Sequence, residues 1–122
     1  MNRLLLVDKS AFVRGAADAR LDGELCLCPV IRWELLFSAR SPADYAATEQ
    51  DLDHFRELRM DAETFAVAGS AQRELARSAN HRVPVPDLLI AACAQQHAAD
   101  VVHVDRHFDV LASVLNFEAI RL

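Results

Sequence analysis

A chain of 122 residues, of which 52% are hydrophobic and 25% charged, has the size and composition of one folded domain with its own apolar core. This balance excludes a disordered polymer, so we expect residues 1–122 to form a single domain. The net charge of −5 argues against a simple nucleic-acid-binding surface, because phosphate recognition favours basic faces. That objection weakens if several acids share one metal site, where bound cations would offset them.

No stretch of the sequence has the length of a membrane span. The longest uninterrupted apolar run covers residues 88–94, far short of the roughly 20 residues that a membrane-spanning helix needs. At the N-terminus, the apolar run before Asp8 is too short for the core of a signal peptide. We therefore expect a cytoplasmic protein with no membrane partner.

The three cysteines, Cys26, Cys28 and Cys93, lie in apolar stretches. An odd count in such a chain favours reduced thiols packed in the core. A zinc site could combine Cys26 and Cys28 with His103 and His107, but the C-x-C and H-x-x-x-H spacings fit the usual zinc patterns poorly. We expect core thiols instead.

The first predicted element is a buried strand. Residues 3–7 (RLLLV) form an apolar run that ends at Asp8, and a run of this length bounded by polar residues is typical of a parallel strand. In open α/β sheets the ligand crevice opens at the carboxyl ends of the strands, so Asp8 is well placed for chemistry. The alternative is that Asp8 only starts the next helix.

Glu34 lies in the next predicted unit. After a short helix and a turn in residues 11–23, residues 25–28 could form a brief strand, and Pro29 opens a helix that runs to about Ala39. The neighbours three and four positions from Glu34 are mostly apolar, so its carboxylate is not simply exposed to solvent. Burial of an unpaired carboxylate is costly, which leaves a metal, a raised pKa or a salt bridge to an arginine.

Residues 41–80 are predicted to form a helical scaffold or a partner surface. A Ser-Pro start signal predicts a helix over about 41–58, and Asp61 is the predicted cap of a helix over about 61–79. The acids of the first of these helices are typical of a solvated face. Nothing in this part of the sequence points to catalysis by itself.

The stretch PVPDLLIAACA, residues 84–94, carries another acid. Its prolines favour an extended approach, and the small and branched apolar residues that follow predict a helix enclosed on every side. Asp87 stands at this junction and is carried into the interior or to the floor of a cleft. The alternative is that Asp87 is merely the N-cap of the helix.

The last part of the chain repeats the opening pattern. Residues 100–104 predict a short apolar strand that ends at Asp105, and a helix then begins at Arg106 with Asn116 as its C-terminal stop. Residues 117–122 predict a short final edge strand.

Four acids that are far apart in the sequence are thus predicted to meet. Asp8 and Asp105 follow two strands of one parallel sheet. Glu34 and Asp87 lie on helices that enter the same end. Four carboxylates within a few ångströms cannot all stay ionised unless cations sit among them. Oxygen ligands suit Mg²⁺ or Mn²⁺, and such a site commonly hydrolyses phosphodiester bonds.

These motifs resemble one family over nearly the whole chain. The segments LLLVDKSAF (4–12), PVPDLLIAACA (84–94) and VVHVDRHFDVLA (101–112), with Glu34 in its apolar helix, are similar to the PIN-domain family, in particular the VapC-type toxins of bacterial toxin–antitoxin pairs. The resemblance implies a three-layer α/β/α fold around a central, mainly parallel sheet of four to five strands. It also implies a Mg²⁺- or Mn²⁺-dependent endoribonuclease that uses a metal-activated water to cut tRNA or other structured RNA.

The resemblance further implies partners. They are a small VapB-like antitoxin, which covers the active site and helps to bind operator DNA, and a second copy of the chain in a homodimer. Together they form a toxin–antitoxin hetero-oligomer. The alternative is a PIN-like module of weak or no catalytic activity that acts only by binding its partner, for which Lys9 beside the cluster could occupy the metal position.

The resemblance also assigns roles by position. Asp8, Glu34, Asp87 and Asp105 correspond to the acidic cluster of the family, as catalytic residues and metal ligands. Ser10 matches the hydroxyl that often supports the first acid and its metal.

The sequence departs from the family pattern at two positions. Lys9 stands where many members have Thr or Ser, and His107 where many have a further Asp. His107 could ligate the metal weakly, touch the scissile phosphate or point away. Of its neighbours, His103 is expected to be a packed histidine and Asp109 a solvated helix residue.

Overall fold

The computed structural model describes residues 2–122. The centre of the fold is a parallel sheet. The strands of these residues are β1 (Leu4–Val7), β2 (Glu24–Leu27), β3 (Arg56–Glu57), β4 (Asp100–His103) and β5 (Ala119–Arg121). They lie in the order β3-β2-β1-β4-β5, and every neighbouring pair is parallel. The predicted α/β class with a mainly parallel sheet is confirmed.

Helices connect these strands. They are α1 (Lys9–Phe12), α2 (Pro29–Phe37), α3 (Pro42–Leu52), α4 (Ala62–Ala76), α5 (Val85–Gln96) and α6 (His107–Leu111), with a 3-10 turn at Ala16–Asp18. Within the described part of the chain, no helix combines the length and apolar character needed to cross a membrane.

The two faces of the sheet pack against separate cores, because successive side chains of a strand point to opposite faces. Leu6 of β1 belongs to the larger core, which also takes apolar side chains from α2, α4, α5 and α6 and the thiols of all three cysteines. Leu5 and Val7 belong to the smaller core, with Ala11 of α1 and Ala16. Elements therefore cover both faces, as the three-layer α/β/α expectation requires.

The helix α5 is enclosed as its composition predicts. Its side chains from Ile90 to Ala94 are fully buried, since α4 packs along one side of the helix and the sheet lies on another. The Pro84 residue before it has extended backbone torsions, and Pro86 lies in the first turn, where no backbone N–H is needed. Asp87 is thereby held in the first turn of a buried helix.

The strand β3 was not predicted, and the helix expected over 41–58 is shorter than proposed. It ends at Leu52, and Arg56 and Glu57 then pair with Cys26 and Leu27 of β2. Two exposed, charged residues carry no strand pattern, so only pairing with a neighbouring edge forms this strand. The buried Leu58 that follows anchors the segment to the larger core.

The short helices also differ from their predicted bounds. The short helix predicted within residues 11–23 is the four-residue α1, which already starts at Lys9 and is followed by the 3-10 turn. The last helix ends at Leu111 rather than near Asn116. The helix that contains Glu34 ends at Phe37 instead of Ala39, within the usual uncertainty of helix ends.

The sheet topology decides where the functional residues meet. The strands β1 and β4 are direct neighbours, with Leu6 opposite Val101 and Val7 opposite Val102. Because the two strands are parallel, their carboxyl ends lie at the same edge of the sheet. Asp8 and Asp105 both follow this edge.

Replacement of Gly23 with Ala should destabilise the fold. A Cβ at Gly23 would lie 2.6 Å from the carbonyl oxygen of Arg3 and 2.9 Å from Leu5 Cγ, at a φ of 157°. We expect Gly23→Ala to lower the free energy of unfolding by about 1–3 kcal/mol in urea denaturation. In the control Gly69→Ala, nothing lies within 4 Å of the new Cβ on exposed α4, so stability should rise by roughly 0.5–1 kcal/mol. Equal effects of the two changes would contradict the close approach at Gly23.

Candidate active site

Asp8 both starts a helix and faces the edge of the sheet. Its side chain caps α1 by accepting a hydrogen bond from the backbone N–H of Ser10, at 3.0 Å. The Ser10 hydroxyl donates a second hydrogen bond to the same carboxylate oxygen, at 2.5 Å, and accepts one from the backbone N–H of Val104, at 3.2 Å. Ser10 therefore connects Asp8 to the segment that carries Asp105.

Asp105 is oriented by the buried His103. The ring of His103 is fully buried against Phe108, as expected for a packed histidine. Its Nδ1 accepts a hydrogen bond from the backbone N–H of Asp105, at 3.0 Å, so the other ring nitrogen carries the proton of the neutral ring. That Nε2 lies 3.4 Å from Oδ1 of Asp109, a half-exposed residue, without the alignment of a hydrogen bond. Asp109 therefore has a protein neighbour, the His103 ring, in addition to solvent.

Asp87 is not the N-cap of its helix. The cap position is Pro84, and Asp87 is the third residue of α5. Its buried carboxylate instead meets the ring of His107, with 3.1 Å between Oδ2 and Nδ1. The capping alternative is therefore wrong, because the helix begins at Val85 and Asp87 already lies inside it.

His107 points into the cluster rather than away from it. Its Nδ1 lies 2.9 Å from Asp105 Oδ1 as well as 3.1 Å from Asp87 Oδ2. Its backbone N–H donates to Asp105 Oδ1, at 3.0 Å, which fixes the start of α6 against the end of β4. One of the three alternatives that the sequence left open, an outward orientation, is thus removed.

Glu34 has a buried carboxylate oxygen with no partner. Its Oε1 is inaccessible to solvent and makes no hydrogen bond within residues 2–122, and no arginine of this part forms an ion pair with it. Burial, and then the charge of Asp8, raise the pKa of Glu34, whereas Lys9 lowers it. The salt-bridge alternative is therefore not what the structure shows. The Lys9 ammonium group instead donates to the Ser38 hydroxyl, at 3.0 Å.

Mutual repulsion links the four acids. Burial, followed by the charges of Asp8 and Asp105, raises the pKa of Asp87 to about 6, against the opposing effect of His107. The charge of Asp8 also raises the pKa of Glu34, so Asp8 interacts with both acids that lie on helices, Glu34 and Asp87. The structure thus brings Asp8, Glu34, Asp87 and Asp105 to one edge of the sheet.

The tightest group within this cluster contains a histidine. Asp87, Asp105 and His107 each offer one ligand atom, and these three atoms lie within 4.8 Å of one another. Asp8 and Glu34 lie beside the group rather than inside it. A cation among these atoms would relieve the repulsion that raises the pKa of Asp87 and would give the unpartnered Glu34 oxygen a charge to face. The donor set therefore fits a divalent metal.

An exposed apolar hollow beside the acids was not predicted. Trp33 and Phe37, one turn apart on α2, are 63% and 88% exposed, and with Lys9, Val30 and Glu34 they line an open hollow of about 510 Å³. The signal was present in the sequence, because two aromatic residues flank Glu34 at helical spacing. Their exposure was not predictable, since the same spacing is typical of a core face.

Together these features define a class of protein: an α/β domain with a cluster of acids suited to a metal ion at the carboxyl edge of a parallel sheet.

Comparison with known proteins identifies the family. The PIN domain model matches residues 5–114. Ribonuclease VapC17 of Mycobacterium tuberculosis is 38% identical over 116 residues, which span 89% of this chain and 87% of that protein. Ribonuclease VapC18 of the same organism is 39% identical over 94 residues, 75% and 69% of the two chains.

Solved structures agree with these relatives. VapBC-5 from Mycobacterium tuberculosis, a member of the VapBC family of toxin–antitoxin systems, superimposes with a TM-score of 0.80 at 25% identity, over 98% of this chain and 99% of that one. A DNA-bound VapBC from Salmonella typhimurium has the same fold, with a TM-score of 0.71 at 20% identity over 99% and 98% of the chains. The chain therefore belongs to the PIN-domain family, and its relatives within it are VapC ribonucleases.

The replacement Asp87→Asn should stabilise the metal-free protein at neutral pH. The pKa of Asp87 is about 6 in the folded chain and near 3.8 in an unfolded one. Its ionisation therefore costs stability progressively between about pH 4 and 6, and the full cost applies above pH 6. In chelator, the melting temperature of Asp87→Asn should exceed that of the unchanged chain by about 3 °C or more at pH 7.5.

The difference should shrink toward pH 4, where Asp87 is protonated in the folded chain. The exposed acid Asp51 provides the control, because Asp51→Asn should not change the pH dependence of the melting temperature. A lower melting temperature for Asp87→Asn at pH 7.5 would mean that the carboxylate contributes more through its contact with His107 than it loses by repulsion.

Proposed function

We propose that the chain is a metal-dependent endoribonuclease toxin of a VapBC-type system, which hydrolyses phosphodiester bonds in tRNA or another structured RNA. The observation that carries this proposal is the meeting of Asp8, Glu34, Asp87 and Asp105 at one sheet edge, with a buried Glu34 oxygen that has no hydrogen-bond partner among residues 2–122. The 38% identity to a ribonuclease over most of the chain supports the same conclusion.

The four acids are the proposed ligands and catalytic groups for Mg²⁺ or Mn²⁺, with Ser10 and His107 in support. A bound divalent ion would supply an activated water for in-line attack and positive charge for the transition state. Ser10 orients Asp8 through two hydrogen bonds to one carboxylate oxygen. His103 holds the backbone of Asp105 from the buried side, so that its carboxylate faces the edge of the sheet.

The negative charge of the site has a consequence for RNA binding. A polyanion approaches four carboxylates only when cations offset them, so metal and substrate binding should be coupled. The Lys9 ammonium group lies at the hollow next to Glu34 and is a local positive charge that a phosphate could meet.

The proposed partners are a VapB-like antitoxin and a second copy of the chain, in the cytoplasm. Three of the neighbouring solved structures are described as VapBC, and two of these three are bound to DNA. The exposed aromatic residues Trp33 and Phe37 flank Glu34, so a protein that covers them would also block the acidic edge. This arrangement supports inhibition by direct occlusion.

The second candidate function is a PIN-like module that acts by binding alone. It requires Lys9 to take the place of the metal. The contact between Lys9 Nζ and the Ser38 hydroxyl favours the enzyme instead, because the ammonium group forms no ion pair within 4.0 Å with the site acids in the described chain. The intact set of four acids argues in the same direction.

Cleavage of RNA by the purified, partner-free chain is the primary test. We expect cleavage of total RNA with Mn²⁺ or Mg²⁺ and none after addition of chelator. Asp105→Asn should lower the rate by about 100-fold or more, because it removes a proposed ligand. The control Asp51→Asn changes the same atoms on an exposed face of α3 and should cleave normally. If no RNA is cut under any of these conditions, the binding-only function is the better one.

Glu34→Gln tests the metal role of the unpartnered oxygen. The amide keeps the size of the side chain but removes its charge, so Mn²⁺ affinity measured by calorimetry should fall about tenfold. The fold should not weaken, because a neutral group is cheaper to bury than a carboxylate. Unchanged Mn²⁺ affinity would remove Glu34 from the ligand set.

A further inference from the structure

The ring of His107 is the most closely held group of the acidic cluster. Its Nδ1 lies 2.9 Å from Asp105 Oδ1 and 3.1 Å from Asp87 Oδ2. These three atoms come from the end of β4, the first turn of α5 and the start of α6, so three separate elements direct their donors to one point. The imidazole is half-buried, which leaves the group open to an ion from solution.

The two distances from His107 Nδ1 to the carboxylate oxygens match those between neighbouring ligands on one ion. Octahedral coordination at about 2.1 Å puts adjacent ligand atoms about 3 Å apart. An ion pair between a charged imidazole and a carboxylate has similar distances, but it normally uses one N–H for one oxygen. Here a single ring nitrogen faces two carboxylates at once, and a ring nitrogen has only one hydrogen or one lone pair to offer.

We propose that His107 Nδ1 is a ligand of the same cation as Asp87 and Asp105, and that it makes this site select a first-row transition ion over Mg²⁺. This inference rests on the metal site of the proposed function and deepens it. The residue stands where many members of the family have a further Asp, so the proposed ligand is a nitrogen in place of an oxygen.

Ligand chemistry gives the direction of the selectivity. Mg²⁺ prefers oxygen ligands in a near-ideal octahedron and gives up its water reluctantly. Imidazole nitrogen suits transition ions, and Mn²⁺ accepts both nitrogen and carboxylate oxygen. Exchange of one oxygen ligand for a nitrogen therefore weakens Mg²⁺ more than Mn²⁺. The remaining carboxylates keep the site suited to a hard ion.

The backbone of the same residue supports this geometry. The N–H of His107 donates to Asp105 Oδ1, at 3.0 Å, so the backbone that carries the ring is held beside that carboxylate by a bond that does not involve the ring.

Spectroscopy of the unchanged protein tests the coordination directly. With Mn²⁺ as the probe, pulsed electron paramagnetic resonance detects a directly bound nitrogen by its hyperfine coupling to the metal. We expect a ¹⁴N coupling in the full chain and its loss in His107→Asp. Binding of Mn²⁺ with no nitrogen coupling, or no binding of Mn²⁺ at all, would overturn the proposal.

Affinity measurements test the selectivity. The ratio of Mn²⁺ to Mg²⁺ affinity should fall about tenfold in His107→Asp, because the variant restores an all-oxygen set. The control His97→Asp makes the same change of charge at the far end of α5, about 15 Å of helix from Asp87, and should keep both the coupling and the ratio. An unchanged ratio in His107→Asp would overturn the selectivity.

The outcomes separate this inference from the proposed function. Nitrogen coupling in a protein that cuts no RNA would support the ligand and count against the ribonuclease. Cleavage of RNA by a protein without nitrogen coupling would support the ribonuclease and remove His107 from the metal.

Discussion

Repulsion between carboxylates at one edge of the sheet is the constraint on which the rest of this structure depends. Asp87 is buried within the fields of Asp8 and Asp105, and the half-buried Glu34 lies within the field of Asp8. Such a group of charges opposes folding, and it persists because the sheet and its two cores fix the backbone that carries it. Because a cation would offset this repulsion, the carboxyl edge of the sheet favours cation binding.

The frame around the acids limits their movement. Ser10 links the carboxylate after β1 to the backbone after β4, and His103 holds the backbone of Asp105 from inside the core. The Ser10 contact joins the ends of two adjacent parallel strands, so relative movement of those strands would break it, whereas the His103 contact fixes the backbone within the segment after β4. The site therefore has rigid support on the sheet side, while Glu34 and Asp87 approach from helices.

The departures from the family pattern differ in their effect. The Lys9 ammonium group donates a hydrogen bond to the Ser38 hydroxyl, so it does not occupy the position expected for a metal ion. His107 does the opposite, because it meets two of the acids. The first departure leaves the four acids without an ion pair to Lys9, and the second places a ring nitrogen, the ligand atom proposed above, beside two of them. The sequence identified both positions, but it could not show which of the two side chains contacts the acids.

The sequence by itself determined the α/β class, the strands that end at Asp8 and Asp105, and the buried helix that carries Asp87. These features follow from local patterns, because an apolar run and the polar residue that ends it are adjacent in the sequence. The short strand at Arg56–Glu57, the cap position at Pro84 and the orientation of His107 depended on tertiary structure. Each is set by a neighbour that is distant in sequence: the edge of β2, the packing of α5, and carboxylates that the fold brings within 3.1 Å of the ring.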